Sequence, residues 1–178
     1  HWIVEMSDEG IDEAGEYFDK FFKENDGDFF ECNKKEGRKA SLHRFVAASA
    51  VGRYYNLKNK EVGEMISLDV AIPRNEKKWF EKLPKEINEK IHAKFHYGHL
   101  FCHVKHQNYI LKKGVNAKEL KKQLLEMYNK KGAEYPAEHN FGHEYEAKTS
   151  LLNFYRTLDP TNTFNPGIGM SSKLKNWK

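Results

Sequence analysis

Hydrophobic residues along the chain change several times between helical and strand-like spacing. Over residues 8–25 and again over 36–55, apolar side chains recur every three or four positions, which predicts two amphipathic helices. Asn116 and Glu119 have the spacing of a capping box ahead of an apolar stripe that stops at Gly132, so a third helix is expected there. Shorter helices are predicted at 149–158 and at 76–91, the latter interrupted at Pro84.

Strand-like patterns alternate with these helices. Predicted strands cover residues 1–6, 27–32, 65–73 and 93–112. Strands separated by helices, with few hairpin signals, favour the α+β class, a ferredoxin-like antiparallel sheet layered by helices. Residues 133–178 hold one short helix between stretches rich in Gly, Pro and Asn and cannot form a core alone. We therefore expect two domains, 1–132 and 133–178, the second lying across the sheet or across a domain outside this chain.

Composition narrows the class of protein. The chain has 178 residues, 39% of them hydrophobic, which suits a folded domain, and its apolar runs are far shorter than the roughly 20 residues of a spanning helix. Cys32 and Cys102 have no CxxC spacing, so a reduced compartment is expected. The net charge of +4 is mild, and the basic stretches 34–39, 56–60 and 171–178 are typical either of a solvated face or of a surface that binds an anionic partner. The chain begins at His1 without a methionine and is expected to be part of a longer protein.

Four histidines lie within residues 95–110, at positions 96, 99, 103 and 106. Imidazole binds zinc and similar metals, and it exchanges protons near neutral pH. On one unbroken strand, His99 and His103 would share a face and His96 and His106 would point to the opposite one. A site that combines His99 with His106 therefore requires a turn or bulge between them. The alternative is that these histidines are half-buried strand residues whose ring nitrogens are hydrogen-bonded.

A second group of such residues follows in "AEHNFGH". Glu138, His139 and His143 add a carboxylate and two imidazoles, so a metal site or an acid–base site can be assembled. Two functions stay open from the residues alone: a metal-dependent hydrolase built on the histidines, and a non-catalytic module that binds an anionic surface. The hydrolase is weakened because no HExxH pattern is present.

Several motifs together resemble one family, the C-terminal region of membrane-associated, quinone-dependent D-lactate dehydrogenases. They are "LHRFVAASAVGRYY" (42–55), "SLDVAIPRN" (67–75), "WFEKLP" (79–84), "KFHYGHLFCHVKHQNYILKKGV" (94–115), "YPAEHNFGH" (135–143) and "DPTNTFNPGIGMSSKLKNW" (159–177). The resemblance covers most of the chain. It implies an upstream FAD domain of the vanillyl-alcohol-oxidase type, a cap domain over the flavin, and a final segment that returns to the FAD domain.

The resemblance also implies roles for individual residues. His99, His106 and Glu138 match ligands of a divalent metal such as zinc that holds the substrate's hydroxyl and carboxylate, which makes His99 and Glu138 substrate-binding as well. His139 matches the catalytic base. Relatives usually have a Gly-Asp-Gly-Asn turn between the two metal-binding histidines, whereas "LFCHVK" here contains no typical turn residue, so a bulge near Cys102 is expected.

The remaining roles concern the substrate carboxylate and the cofactor. Arg53 lies where relatives bind the substrate carboxylate, although a surface helix arginine is the alternative. Asn140 and Asn165 are expected to contact FAD, which the missing upstream domain would mainly bind. This chain alone is expected to hold little FAD and to be inactive.

The resemblance finally implies partners and a location. These are D-lactate, a quinone and the cytoplasmic side of the inner membrane, with no nucleic acid. Attachment is expected to be peripheral, around residues 36–60, through basic side chains: Arg38, Lys39, Arg44, Lys58 and Lys60.

Overall fold

The computed structural model describes residues 2–78, 81–137, 142 and 145–178. The chain divides into two compact units, His1–Ala50 and Val51–Lys178. The boundary between these units shows only which residues form each compact body. The expected division into a cap of residues 1–132 and a returning segment of residues 133–178 stays a prediction.

The first unit contains helix α1 (Gly10–Glu24) and most of helix α2 (Lys34–Lys58). Both predicted helices are confirmed. In the loop after α1, Phe29 packs against aromatic side chains of that helix. The ring centroid of Phe29 lies 5.9 Å from that of Phe18 and 6.1 Å from that of Phe22. Helix α2 begins before residue 36 because Asn33 and Glu36 cap it reciprocally: Asn33 Oδ1 accepts the Glu36 N–H and Glu36 Oε2 accepts the Asn33 N–H.

The two strands expected in this unit are wrong. Residues 2–6 and 27–32 are not in strands. A strand persists only where a neighbouring strand pairs with its N–H and C=O groups, and alternation of apolar residues over six positions does not supply that neighbour.

The second unit is built on a three-stranded antiparallel sheet, which confirms the α+β class. Its strands are β1 (Met65–Ala71), β2 (Ile91–His99) and β3 (Val104–Leu111), in the order β1-β3-β2. The central strand β3 is buried at every position except His106, which is partly buried. The sheet therefore has one strand whose polar side chains must be satisfied inside the protein.

The predicted single strand 93–112 is wrong, since it is a hairpin. A 3-10 turn, Leu100–Cys102, joins β2 to β3, and His103 takes a left-handed conformation with φ 58°. A 3-10 turn needs neither Gly nor Pro, and histidine is one of the side chains that tolerate positive φ. The Ile72 N–H donates to the His103 carbonyl at 3.1 Å and helps to fix the turn.

Two further helices match their predictions. Helix α4 (Ala117–Lys130) is capped by Asn116, whose side chain accepts the Glu119 N–H at 3.1 Å, and helix α5 covers Thr149–Leu158. The expected helix 76–91 shrinks to α3 (Lys85–Asn88): residues 76–78 and 81–84 are not helical, and 79–80 lie outside the described residues. Pro84 disfavours helical geometry at the residue before it, which explains the late start.

The two faces of the sheet differ in what covers them. Helix α4 covers one face, where Leu120 and Leu124 pack against β1 and β3 in the main core. One end of the opposite face is covered by Val51 from the last turns of α2, which packs with Ile110. The other end of that face carries polar side chains. We call it the histidine face and define it by four residues: Asp69, Tyr97, His99 and His106.

The chain after α5 is ordered by local hydrogen bonds. The side-chain amide of Asn162 donates to the carbonyls of Ser172 and Leu174 at 2.7 and 2.9 Å, and the Trp177 indole donates to the Asp159 carbonyl at 2.7 Å. Phe164 remains 81% exposed. That this segment packs on an FAD domain stays a prediction.

Candidate active site

The histidine face arises from strand register. Asp69 on β1 and Tyr97 on β2 both pair with His106 on the central strand β3. Directly opposed residues of antiparallel strands point to the same side of the sheet, and His99 follows Tyr97 by two positions. The four side chains therefore share one face.

Asp69 and His106 form the most buried contact on this face. Asp69 Oδ1 lies 2.9 Å from His106 Nδ1, and the two side chains are 7% and 12% exposed. Such burial strengthens the interaction between a carboxylate and an imidazole because little water is present to screen it. Asp69 was missed at the level of sequence, although a carboxylate inside the apolar run "SLDVAIP" is a signal that could have found it.

His99 and His106 are neighbours. Their ring centroids are 5.4 Å apart with the rings nearly perpendicular at 84°, and the Tyr97 ring lies 4.9 Å from His106. The condition set from the sequence, a turn or bulge between His99 and His106, is met because the strand is interrupted between them. The turn at residues 100–103 replaces the expected bulge.

This pair of imidazoles fits part of a metal site. Two neighbouring histidines are the donors that zinc commonly takes, and the third expected ligand is Glu138. Glu138 lies outside the described residues, and within residues 2–78, 81–137, 142 and 145–178 no group of three His, Cys, Asp or Glu side chains could hold an ion. The metal site therefore stays a prediction.

The segment before Glu138 is held against β1. The Ala137 N–H donates to the Asp69 carbonyl at 3.0 Å, and Ala71 and Glu134 exchange two backbone hydrogen bonds of 2.8 and 2.9 Å. The chain therefore passes Asp69 immediately before "EHN". Glu138, His139 and Asn140, predicted as ligand, base and cofactor contact, lie outside the described residues, as does His143.

The structure gives the positions of Arg53 and Asn165, and these positions do not test the roles predicted for them. Arg53 is exposed on α2 in the second unit, and Asn165 is exposed in the turn where its carbonyl accepts the Ile168 N–H at 3.1 Å. Substrate binding by Arg53 and cofactor binding by Asn165 stay predictions.

His96 and His103 do not belong to the histidine face. His96 lies on the α4-covered face, with Nε2 3.8 Å from Glu81 Oε1 and its ring edge-on to Tyr109 at 6.3 Å. Burial lowers the pKa of His96 below its usual value. His103 sits in the hairpin turn, partly buried.

A buried polar network surrounds His96 and was also missed from the sequence. Lys105, Gln107, Tyr109 and Tyr128 are buried, whereas the His96 side chain is 23% exposed. Burial lowers the pKa of Lys105 and raises the pKa of Tyr109. The side chain of Glu81, 3% exposed, accepts a hydrogen bond from the Tyr109 hydroxyl at 3.1 Å. Burial of a central strand on both of its faces is not visible in a run of mixed polarity. The network consists of Glu81, His96, Lys105, Gln107, Tyr109 and Tyr128.

Helix α2 carries four of the five basic side chains expected to contact a membrane, and Lys60 follows the helix. Arg38, Lys39 and Arg44 are exposed, whereas Lys58 contacts Glu61 at 3.0 Å, which partly offsets its charge. The apolar side chain of Phe45 is 60% exposed on the same helix. No helix within the described ranges is both long and apolar enough to cross a bilayer.

Comparison with known proteins gives one family and three similar relatives. The family model described as "D-lactate dehydrogenase, membrane binding" matches residues 1–177. Quinone-dependent D-lactate dehydrogenases from Haemophilus influenzae and Escherichia coli are 51% and 49% identical over 178 residues, 99% and 100% of this chain. The relative of that name from Corynebacterium glutamicum is 41% identical over 179 residues, 99% of this chain. The chain spans about a third of these relatives, 32%, 31% and 31% of their lengths.

Proposed function

This chain belongs to the D-lactate dehydrogenase membrane-binding family, and we propose that it is part of an FAD-dependent enzyme that oxidises D-lactate to pyruvate and passes the electrons to a membrane quinone. The observation that carries the proposal is the histidine face beside Ala137. It brings two imidazoles together next to the segment that leads to Glu138 and His139. The named relatives are quinone-dependent D-lactate dehydrogenases, which supports the same reaction.

The reaction requires a base and a group that accepts a hydride. His139 removes the hydroxyl proton, for which an imidazole with a pKa near neutrality is suited, while the α-hydrogen leaves with its electron pair and the carbon–oxygen double bond forms. FAD, held mainly by a domain outside this chain with contacts from Asn140 and Asn165, supplies the hydride acceptor when bound. Arg53 offers a guanidinium for the substrate carboxylate.

The imidazoles of the histidine face serve substrate binding. A divalent metal held by His99, His106 and Glu138 would supply a Lewis acid for the hydroxyl and carboxylate oxygens of D-lactate. The two histidines on this face match the donor preference of zinc, which supports this part of the proposal. A free-standing metal hydrolase is disfavoured because the relatives are dehydrogenases over almost the whole of this chain.

Attachment to the membrane is peripheral, on the cytoplasmic side of the inner membrane. Exposed cations on α2 support an electrostatic contact with anionic lipid. This places the enzyme where quinone is available.

The test uses the full-length protein that contains this chain. The purified protein should show flavin absorbance and reduce a soluble quinone analogue with D-lactate, and the rate with L-lactate should be far lower. A protein that lacks flavin, or one that reduces the analogue equally with both enantiomers, contradicts the proposal.

A further inference from the structure

Helix α2 presents an apolar stripe to solvent in the part that belongs to the first unit. Leu42, Phe45 and Val46 are 59%, 60% and 67% exposed. Residues three and four positions apart lie on one side of a helix, so these three side chains form one surface, which we call the α2 stripe. We propose that the α2 stripe inserts below the phosphates of an anionic bilayer, with the helix lying in the membrane–water interface. The inference rests on the proposed peripheral attachment and names the part of the lipid that the helix contacts.

Cations border the α2 stripe. Arg38 and Lys39 precede Leu42 by four and three positions, so they lie on the same side of the helix. The Arg44 guanidinium lies 5.1 Å from the centroid of the Phe45 ring. Long basic side chains can bury their carbon stems against apolar groups while their charged ends stay at the level of the phosphates. The helix therefore combines apolar side chains for the acyl layer with cations for the headgroups.

The charge of α2 decides between a lipid surface and a protein partner. Glu36 is the only acidic side chain of the helix, and its carboxylate accepts the Asn33 N–H at 2.9 Å. A protein that covered the α2 stripe would have to place acidic groups opposite the bordering cations, and α2 of a second copy has only this one acid to offer. An anionic bilayer supplies phosphates and acyl chains together. The family description, which names membrane binding, supports the same partner.

Insertion changes how membrane binding responds to salt. Salt screens the attraction between exposed cations and anionic lipid, but it does not weaken the burial of apolar side chains. Part of the binding should therefore persist at high salt. That part should depend on the side chains of the α2 stripe, whereas the cations dominate binding at low salt.

The experiment measures binding of the full-length protein to vesicles made of equal parts of phosphatidylglycerol and phosphatidylcholine. Phe45→Ala is compared with Phe30→Ala, the same change at a side chain that is 81% exposed in the first unit but lies between Asp28 and Glu31. In about 1 M salt, Phe45→Ala should lower the partition constant by about 10-fold, because most of an aromatic side chain no longer leaves water. Phe30→Ala should change it by less than about twofold, since its acidic neighbours are repelled by the same surface.

The depth of insertion is measured with Phe45→Trp and Phe30→Trp, using vesicles whose acyl chains carry bromine. The emission of the added indole is obtained by subtracting that of the unsubstituted protein. In Phe45→Trp it should move to shorter wavelength on binding and be quenched by bromine, whereas in Phe30→Trp it should do neither. If circular dichroism shows that Phe45→Ala loses helix, the quenching of Phe45→Trp decides.

Two results overturn the insertion of the α2 stripe: bound Phe45→Trp whose added indole bromine does not quench, or equal losses of binding in Phe45→Ala and Phe30→Ala. In either case the helix binds through its charges alone. If the unsubstituted protein binds no vesicles at low or high salt, the proposed attachment fails together with the insertion. If it binds but does not oxidise D-lactate, the proposed reaction fails, and the quenching still decides whether the α2 stripe inserts.

Discussion

Gly98 controls how closely the two strands of the hairpin approach beside the histidine face. It pairs with Lys105, between Tyr97 and His99, and a Cβ added there would overlap the Val104 carbonyl oxygen and lie 3.2 Å from the Lys105 Cα. Both obstacles are backbone atoms, which cannot rotate away as a side chain would. Gly98→Ala should therefore force β2 and β3 apart.

The expected cost can be worked from these contacts. The strands must separate by roughly 1 Å before the new methyl reaches van der Waals distance. Overpacking of this kind typically costs about 1–3 kcal/mol, and replacing glycine returns about 0.5–1 kcal/mol through the lower entropy of the unfolded chain. We expect a net loss of about 1–2 kcal/mol in the free energy of unfolding.

Gly52 gives the same chemical change in an open place. It lies inside α2, and apart from its chain neighbours and the backbone of its own helix no atom lies within 4 Å of an added Cβ. Gly52→Ala should therefore stabilise the protein by about 0.5–1 kcal/mol. The two variants and the unsubstituted chain are compared by urea denaturation followed by circular dichroism.

A functional readout accompanies the stability measurement. Since the hairpin positions His99 against His106, a displacement near 1 Å should lower turnover of the full-length enzyme by up to about 100-fold. If Gly98→Ala unfolds at the same urea concentration as the unsubstituted chain and keeps its turnover, the close approach of β2 and β3 at Gly98 determines neither stability nor turnover.

Three other predictions concern charge and packing. Replacing Arg38, Lys39 and Arg44 by Gln should weaken binding to anionic liposomes by about 3 kcal/mol, roughly 100-fold. High salt should also weaken binding of the unsubstituted enzyme, and equal binding at low and high salt would refute an electrostatic attachment. Because burial lowers the pKa of His96, the unfolded state takes up a proton first as the pH falls below about 6.5. The free energy of unfolding should therefore drop as the pH falls from about 6.5 toward the lower pKa of the folded state, and His96→Gln should flatten that drop. Leu124→Ala, at a fully buried position, should cost about 2–5 kcal/mol in urea denaturation, and a cost below about 1 kcal/mol would contradict the packing of α4.

Elements specified by local chemistry were predictable from the sequence. The cap formed by Asn116 and Glu119 and the helix Thr149–Leu158 appear where the sequence places them. Each depends on contacts between residues a few positions apart, which periodicity and capping patterns report directly.

Features that depend on distant residues were not predictable in this way. The turn at residues 100–103 contains no Gly or Pro and is fixed by strand pairing and by the Ile72–His103 hydrogen bond. The contact of Asp69 with His106 joins residues far apart in sequence through the register of β1 and β3. Register is set by the whole buried face, so the pattern of one strand shows that a turn is required between His99 and His106 but does not show which residues of β1 lie opposite them.

In the proposed reaction, the segment following Ala137 supplies the base for oxidation of D-lactate. The measurement is anaerobic single-turnover reduction of the flavin by D-lactate in the full-length enzyme, with His139→Ala compared with His43→Ala, which changes an exposed histidine of α2. His139→Ala should keep its flavin and reduce it at least about 100-fold more slowly, the usual scale for a lost general base, while His43→Ala should match the unsubstituted enzyme. Flavin reduction at the unsubstituted rate in His139→Ala would contradict the account.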